Sequence, residues 1–465
     1  MRRLCVLHVF FLLLGMTLSA QETKLGADFR KEGESLSSGC GSFSGLLGCA
    51  ETLFTGHPVH IAVGSIAPQN GFGAGAAFVA HWTPNESWRL SWDVDAIGSI
   101  NGSWRAGAYM KAIFTPPKKV VKKRGRHSDN PQPDDTEDPV FHLYAQTISL
   151  NKIGYFGLGP NSLESGRTFY GMKETIPGIN VWWPIYQPPK IELSLFGELN
   201  GRLVTIRPST GQPSPSIEQL YTETTAPGLT TQPDFLQQGE GIRFKTKSAF
   251  LSDRLRLNYL ALYQQFWAPA DSQFAFQRLT TDLSHQYALH STTKTYLPRY
   301  QNGPDECSEN VDKPACPAIT KNLDGSISFR FFLSGSFVPT GHVVPFYFQP
   351  TLGGSDINGN AALPSYQDYR FRAPNVMLLR ETFEHSIWTL PIGFAFIADQ
   401  GKVGLTRGDL GSNPWIHSFA TGLTLRAGGF PQVYLLFAWG GKEGTHTIAN
   451  VNTSLLGGST RPSLY

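Results

Sequence analysis

Charge, cysteine and long apolar runs are all scarce in this chain. Only 16% of the 465 residues are charged, well below the roughly 25% of an ordinary soluble domain. The 39 Lys plus Arg stand against 36 Asp plus Glu, a net charge of +3, so no charge bias selects a nucleic acid as partner. Five cysteines in a chain this long exclude a disulfide-built miniprotein. A single long apolar stretch, at the start, excludes a bundle of transmembrane helices. H-E-x-x-H, G-x-S-x-G and G-x-x-x-x-G-K are all missing. Gly71-x-Gly73-x-Gly75 lacks the dinucleotide spacing and is better explained by a hairpin. His285 and His290 near Asp282 read as scattered strand-end polar residues. The chain therefore reads as a non-enzyme, with no cofactor and no metal.

What is present favours β-structure: 48 Gly, 31 Phe, 16 Tyr and 10 Trp. So many aromatics also exclude disorder for most of the chain. Residues 1–20 combine Arg2 and Arg3, an apolar block from Leu4 to Leu14 and a segment ending Leu-Ser-Ala, the pattern of a secretory signal peptide. Cys5 leaves with it. Cys40 with Cys49, and Cys307 with Cys316, form two local pairs, each spaced by nine. In an exported chain they are expected to be two disulfides closing short loops. Wide spacing and the lack of a neighbouring His disfavour a zinc site.

From about residue 58 the pattern is period-2 alternation. Trp88, Leu90, Trp92 and Val94 alternate with Arg89, Ser91, Asp93 and Asp95; Leu193, Leu195 and Leu199 alternate with Glu192, Ser194, Glu198 and Asn200. A soluble sandwich would bury the apolar faces against each other. A transmembrane barrel would turn them to lipid and line its lumen with the polar ones. Segments of ten residues or more, and Trp at their ends (Trp82, Trp104, Trp182, Trp183, Trp267, Trp388, Trp415), favour the barrel. Sixteen strands are expected, starting near residues 60, 73, 87, 104, 140, 167, 190, 240, 254, 274, 326, 376, 391, 415, 431 and 445. The fold class is an all-β, 16-stranded antiparallel transmembrane β-barrel of the outer-membrane type over 58–465. Residues 116–139 carry a basic run and then an acidic one, read as a self-compensating solvated loop. The Thr, Pro, Ser and Gln of 207–239 read as a flexible loop, and 291–323 as an ordered excursion carrying the second Cys pair.

The stretch 341–404 is more specific. It contains Gly341-His-Val-Val-Pro-Phe-Tyr-Phe-Gln-Pro-Thr-Leu-Gly353-Gly354-Ser-Asp, then Leu363-Pro-Ser-Tyr366-Gln-Asp-Tyr-Arg370-Phe-Arg372, and later Phe396-Ile-Ala-Asp399-Gln-Gly401. Asn70-Gly71-Phe72-Gly73 and Tyr155-Phe-Gly-Leu-Gly-Pro-Asn-Ser162 add to it. Together these resemble the bacterial surface antigen family, which supplies the barrels of BamA-type outer-membrane assembly proteins and of two-partner secretion transporters. The resemblance implies a lumenal loop, here 341–375, whose Arg meets the Asp of an F-x-D-x-G element. Asp399 stands in that element with Gly401, while the expected Arg and Gly of the loop tip are replaced by Leu363-Pro-Ser-Tyr366. Arg370 or Arg372 is then expected to reach Asp399, with Tyr366 in the same lock and Gly71, Gly73, Gly353 and Gly354 shaping hairpin and loop. The family's periplasmic receiving domains have no counterpart in 21–57, a short segment holding the first Cys pair.

Family numbering puts the first hairpin, Gln69–Gly73, on the extracellular side, makes 341–375 the lumenal loop, and places 116–139 and 291–323 in the periplasm, although periplasmic turns are usually short. The partners implied are outer-membrane lipid and an unfolded protein or lipid client. Two functions compete. One is an outer-membrane barrel assisting insertion or translocation, with the loop as plug and a seam between first and last strands. The other is a client-free surface barrel or passive pore lined by Asp93, Asp95, Glu192, Glu198, Arg202 and Arg426. Polar Asn450, Asn452 and Ser454 on the inward face of the last strand imply weak pairing at that seam, and the residues after Leu456 could tuck into the lumen.

Overall fold

The computed structural model describes residues 26–27, 30–34, 58–116, 137–209, 211–246, 251–252, 254–298, 315–387, 391–427, 430–451 and 461–464, without the side chains of 291–298, 315–323, 427, 430, 450 and 451. The signal peptide and Cys40, Cys49 and Cys307, with the Cys316 side chain, lie outside the described part, as do Asn452 and Ser454. Strands β1 (Val59–Ser65), β2 (Phe72–Asn85), β3 (Trp88–Ser99), β4 (Trp104–Phe114), β5 (Val140–Tyr155), β6 (Thr168–Tyr186), β7 (Ile191–Pro208) and β8 (Phe235–Thr246) make the first half. The second half comprises β9 (Leu255–Trp267), β10 (Phe276–Pro298), β11 (Ala315–Phe337), β14 (Asn375–Ser386), β15 (Ile392–Gly404), β16 (Ile416–Ala427), β17 (Phe430–Gly441) and β18 (Gly444–Val451). Two short strands, β12 (Thr351–Leu352) and β13 (Phe371–Arg372), pair within the loop between β11 and β14. The sixteen long strands form one antiparallel sheet in chain order.

The sheet is inside-out relative to a soluble protein. Val94, Leu199 and Leu435 are 47%, 48% and 53% exposed, whereas Asp95, Arg202 and Asp399 on the alternate face are 4%, 0% and 0% exposed. That is the alternation that turns apolar side chains outward and polar ones inward. Gln238 and Glu240 on β8 and Glu381 on β14 interrupt the outer apolar face. At the chain-start end of the strands, Trp88, Phe114, Phe141 and Trp183 form a contiguous aromatic patch, with ring centroids 5.0–6.0 Å apart, as suits a water–lipid interface.

The sheet wraps round the 338–374 loop. That one segment touches the β1–β2 turn through Tyr369 Oη and Pro68 O (3.0 Å), Tyr155 of β5 through Phe346, and Ser418 of β16 through Ser365. The two sheet edges meet around one cavity, since Gln69 beyond β1 and His446 of β18 both line it. Among the described residues no ladder pairs β1 with β18.

Strand positions agree closely with expectation, with two corrections. In the 291–323 excursion the described residues, 291–298 and 315–323, continue β10 and β11. Their ladder runs on to Pro298 and Ala315, while neighbouring β9 and β14 stop pairing at Tyr287 and Gly325. At about 3.4 Å per residue, a two-stranded ribbon stands proud of the sheet by roughly 35 Å. The 207–239 stretch is not a flexible loop: β7 runs to Pro208, β8 starts at Phe235, and Ile217 and Ala226 between them are fully buried. Glu223 holds this loop through the N–H groups of Gly228 and Thr230.

Leu199→Arg, on the outer face of β7, is expected to destabilise the protein in phospholipid vesicles by about 2–4 kcal/mol. Urea unfolding measures this, and an unchanged midpoint would contradict an outer face turned to lipid.

Candidate functional site

The inner face carries charges that are largely paired with one another. Arg202 donates to Glu174 at 2.9 Å and also to Gln237; Arg243 donates to Glu192 at 3.0 Å; Tyr144 donates to Glu198 at 2.7 Å. Arg105 reaches Asp95 at 3.4 Å, and Arg330 holds Asp282 through two contacts of 2.9 and 2.7 Å. Asp282 therefore serves no histidine; His285 instead meets Tyr259 Oη at 2.7 Å. Among the described residues no three His, Cys, Asp or Glu side chains converge as a metal site needs.

Asp399 is the centre of the loop lock, but its arginine is neither Arg370 nor Arg372. The cross-strand register places Arg380 of β14 directly opposite Asp399 of β15. Arg380 donates Nε to Oδ1 at 2.7 Å and Nη2 to Oδ2 at 2.6 Å, a bidentate pair. The loop contributes main chain: Leu363 N–H donates to Asp399 Oδ2 at 2.7 Å, and Ser365 N–H donates to Ser418 Oγ at 2.8 Å. Asp399 and Ser418 are register partners on β15 and β16, so two neighbouring lumenal side chains take alternate N–H groups of a loop tip that turns over 363–366, where Tyr366 N–H donates to Leu363 O at 3.0 Å. Leu363 is held at φ +49° immediately before Pro364, a conformation that costs about 1–3 kcal/mol at a non-glycine residue. Its N–H and side chain are thereby aimed at Asp399 and at Gly401.

The small residues of β15 and β17 make the room. A Cβ on Gly401 would stand 2.9 Å from Leu352 Cδ1 and 3.0 Å from Leu363 Cδ1, and one on Gly441 would stand 2.8 Å from the Tyr366 ring. Gly353 (φ +100°) and Gly354 (φ +58°) turn the loop where a side chain would strike Arg370 and Asp368. At the first hairpin Gly71 has φ +79°, and Gly73 leaves space for Ile66. Asn70, which the sequence reading passed over, is fully buried there and ties the hairpin to Lys152 O at 2.7 Å and Ser103 Oγ at 2.8 Å.

Arg370 and Arg372 fasten other parts of the loop. Arg370 pairs with Glu443 and donates to Ser162 Oγ and O at 2.8 and 2.7 Å. Arg372 donates to Phe346 O at 2.8 Å and Gln349 O at 3.3 Å. These carbonyls belong to an aromatic wedge: Phe346 lies 5.3 and 5.0 Å from Tyr155 and Tyr170, and Phe348 lies 5.0 and 5.4 Å from Phe235 and Phe266. Both phenylalanines are buried, so this wedge packs against the inner wall from β5 to β10. Beside the lock, a cavity of about 470 Å³ lies between the loop, Gln69 and His446. In it Asp368 accepts the Ser355 N–H at 2.8 Å, and burial raises its carboxyl pKa above the ordinary value.

No family model matches the chain, and no curated protein does. Among solved structures the fold is similar to CdiB from Acinetobacter baumannii (12% identity, TM-score 0.43, covering 84% of this chain and 57% of that one). It is also similar to CdiB from Escherichia coli (11%, 0.44, 82% and 58%) and to BamA from Haemophilus ducreyi lacking POTRA domains 1-3 (10%, 0.44, 84% and 67%). The chain spans less than two thirds of either CdiB chain. At these identities no residue role passes from those proteins to this one.

Arg380→Met leaves the Asp399 carboxylate buried beside a single N–H and is expected to lower stability by about 3–5 kcal/mol. Arg370→Met leaves that pair intact and is expected to release Glu443 and Ser162 while the tip stays seated. Urea unfolding combined with limited proteolysis of the loop separates the two. Equal effects of both variants on tip cleavage would remove Asp399 from its central place.

Proposed function

We propose that this chain is a plugged outer-membrane barrel that assists insertion or translocation of a protein or lipid client. The observation that carries the reading is the seating of 338–374 inside the sheet, by the Asp399–Arg380 pair at one side and the Phe346–Phe348 wedge at the other. A passive pore needs a continuous aqueous path, whereas here the described lumenal charges are largely paired and the loop buries Phe346 and Phe348 against the inner wall. The outer-membrane location follows from the apolar outer face, the aromatic patch at the strand ends and the expected signal peptide.

Planar-bilayer conductance tests it. The intact protein is expected to conduct weakly, and deletion of 355–373, which removes the tip but spares the Asp399–Arg380 pair, to raise conductance several-fold. A steady, ion-passing channel unaffected by the deletion would move the assignment to a passive pore.

A further inference from the structure

Residues 461–464 lie inside the barrel, and each of the four is seated. Arg461 Nη2 donates to Asp95 Oδ2 at 2.7 Å. Pro462 is buried. The Ser463 carbonyl accepts from Arg202 Nη2 at 2.9 Å. Leu464 N–H donates to Asn358 Oδ1 at 2.8 Å, and its side chain, 5% exposed, joins the aromatic core.

The wall that receives them is fixed before they arrive. Arg202 is fully buried, with Nη1 committed to Glu174 and Nε to Gln237, so Nη2 is held at one position. Asp95 is 4% exposed, and its own-sheet cation, Arg105, reaches it at 3.4 Å, a longer contact than that of Arg461. Asn358 is set by a turn in which Asp356 accepts the N–H groups of Asn358 and Asn360 at 2.9 and 2.8 Å. A carboxylate for the side chain of 461, a guanidinium N–H and an amide oxygen for the two sides of the 463–464 peptide bond, and an apolar floor for 464 thus follow one another along the segment. Two of the three polar contacts just named are to main chain, which any peptide offers. The carboxylate and the apolar floor supply selectivity.

We propose that the lumen contains a peptide-binding site formed by Asp95, Arg202 and Asn358, which takes an extended segment with a basic residue followed three positions later by an apolar one. Residues 461–464 are its tethered, displaceable occupant. Because Asn358 belongs to the loop, occupancy ties β3 and β7 to the 338–374 loop. The site stands on the enclosed lumen and holds whether or not the barrel moves a client.

A tethered occupant acts at an effective concentration on the order of millimolar, so a free peptide must be tested where the occupant is disabled. The probe is a fluorescent Ser-Thr-Arg-Pro-Ser-Leu-Tyr peptide, residues 459–465, titrated by anisotropy against the refolded full chain and its Arg461→Glu/Leu464→Ser variant. Saturable binding to the variant, about tenfold or more weaker to the wild type, is expected. Adding Asp95→Asn to the variant should weaken binding again, and a scrambled peptide should not bind. Equal binding to wild type and variant, or none to a correctly refolded variant, overturns the proposal. Should the variant not fold, Ser463→Cys in the otherwise unchanged chain replaces it. Its maleimide labelling is expected to accelerate with excess peptide, and an unchanged rate overturns the proposal equally.

Discussion

A charge on the inner face of this sheet has to find a partner, and the interior is organised by that constraint. Removing a carboxylate from water costs several kcal/mol unless Coulomb attraction and hydrogen bonds offset it. Asp399 is fully buried and meets a bidentate Arg380 and the Leu363 N–H. The arginine neutralises the charge, and the N–H takes further lone-pair capacity, so the pair is completed by the loop. Seen from the loop, the same contact gives the turn at its tip a place to leave one of its own N–H groups. Each side of the contact supplies what the other lacks. The same logic recurs at Asp95, where Arg461 makes a closer contact than Arg105 of the neighbouring strand β4.

Electrostatics alone would not bring the tip close enough. Main-chain N–H groups reach lumenal side chains only if nothing stands between, and Gly401 and Gly441 clear that approach on β15 and β17. The left-handed Leu363 is the complementary adjustment in the loop. A lock made from backbone and small residues differs in kind from one made by a long side chain. It tolerates replacement of the tip sequence so long as an N–H arrives, which explains how Leu-Pro-Ser-Tyr can stand where the resemblance calls for an arginine.

Much of this was legible in the sequence, and the failures have identifiable causes. The alternation around Leu195–Asn200 or Trp92–Asp95 states which face is lumenal, because a period of two leaves no other assignment for the charges. Asp399 and Gly401 drew notice through the resemblance to an F-x-D-x-G element, with the alternation placing them on the inward face. Arg380 was missed although the signal existed: it shares the inward face of β14 with Glu384, and counting back through the hairpin places it opposite Asp399. Attention to residues near the loop in sequence favoured Arg370 and Arg372, whereas in a sheet the nearest side chain is the cross-strand one. The 291–323 ribbon was hidden by Pro298 and Pro317 and by the polar residues around them. In 207–239 a composition rich in Thr and Pro concealed Ile217 and Ala226, two small apolar anchors among many polar residues.

Three of the loop's attachments differ in kind. Its polar contact with Leu464 is one neutral hydrogen bond, worth a net of about 0.5–1.5 kcal/mol, beside the buried Leu464 side chain. The tip rests on a hydrogen bond to a charged group and a second to Ser418, about 1.5–3 kcal/mol for the first. The wedge buries Phe346 and Phe348, each worth about 1.5–3 kcal/mol in desolvation, with aromatic contacts added and Arg372 clamping the carbonyls. The tip lies beside the two sheet edges, since Tyr366 and His446 line one cavity with Gln69, whereas the wedge packs against β5–β10.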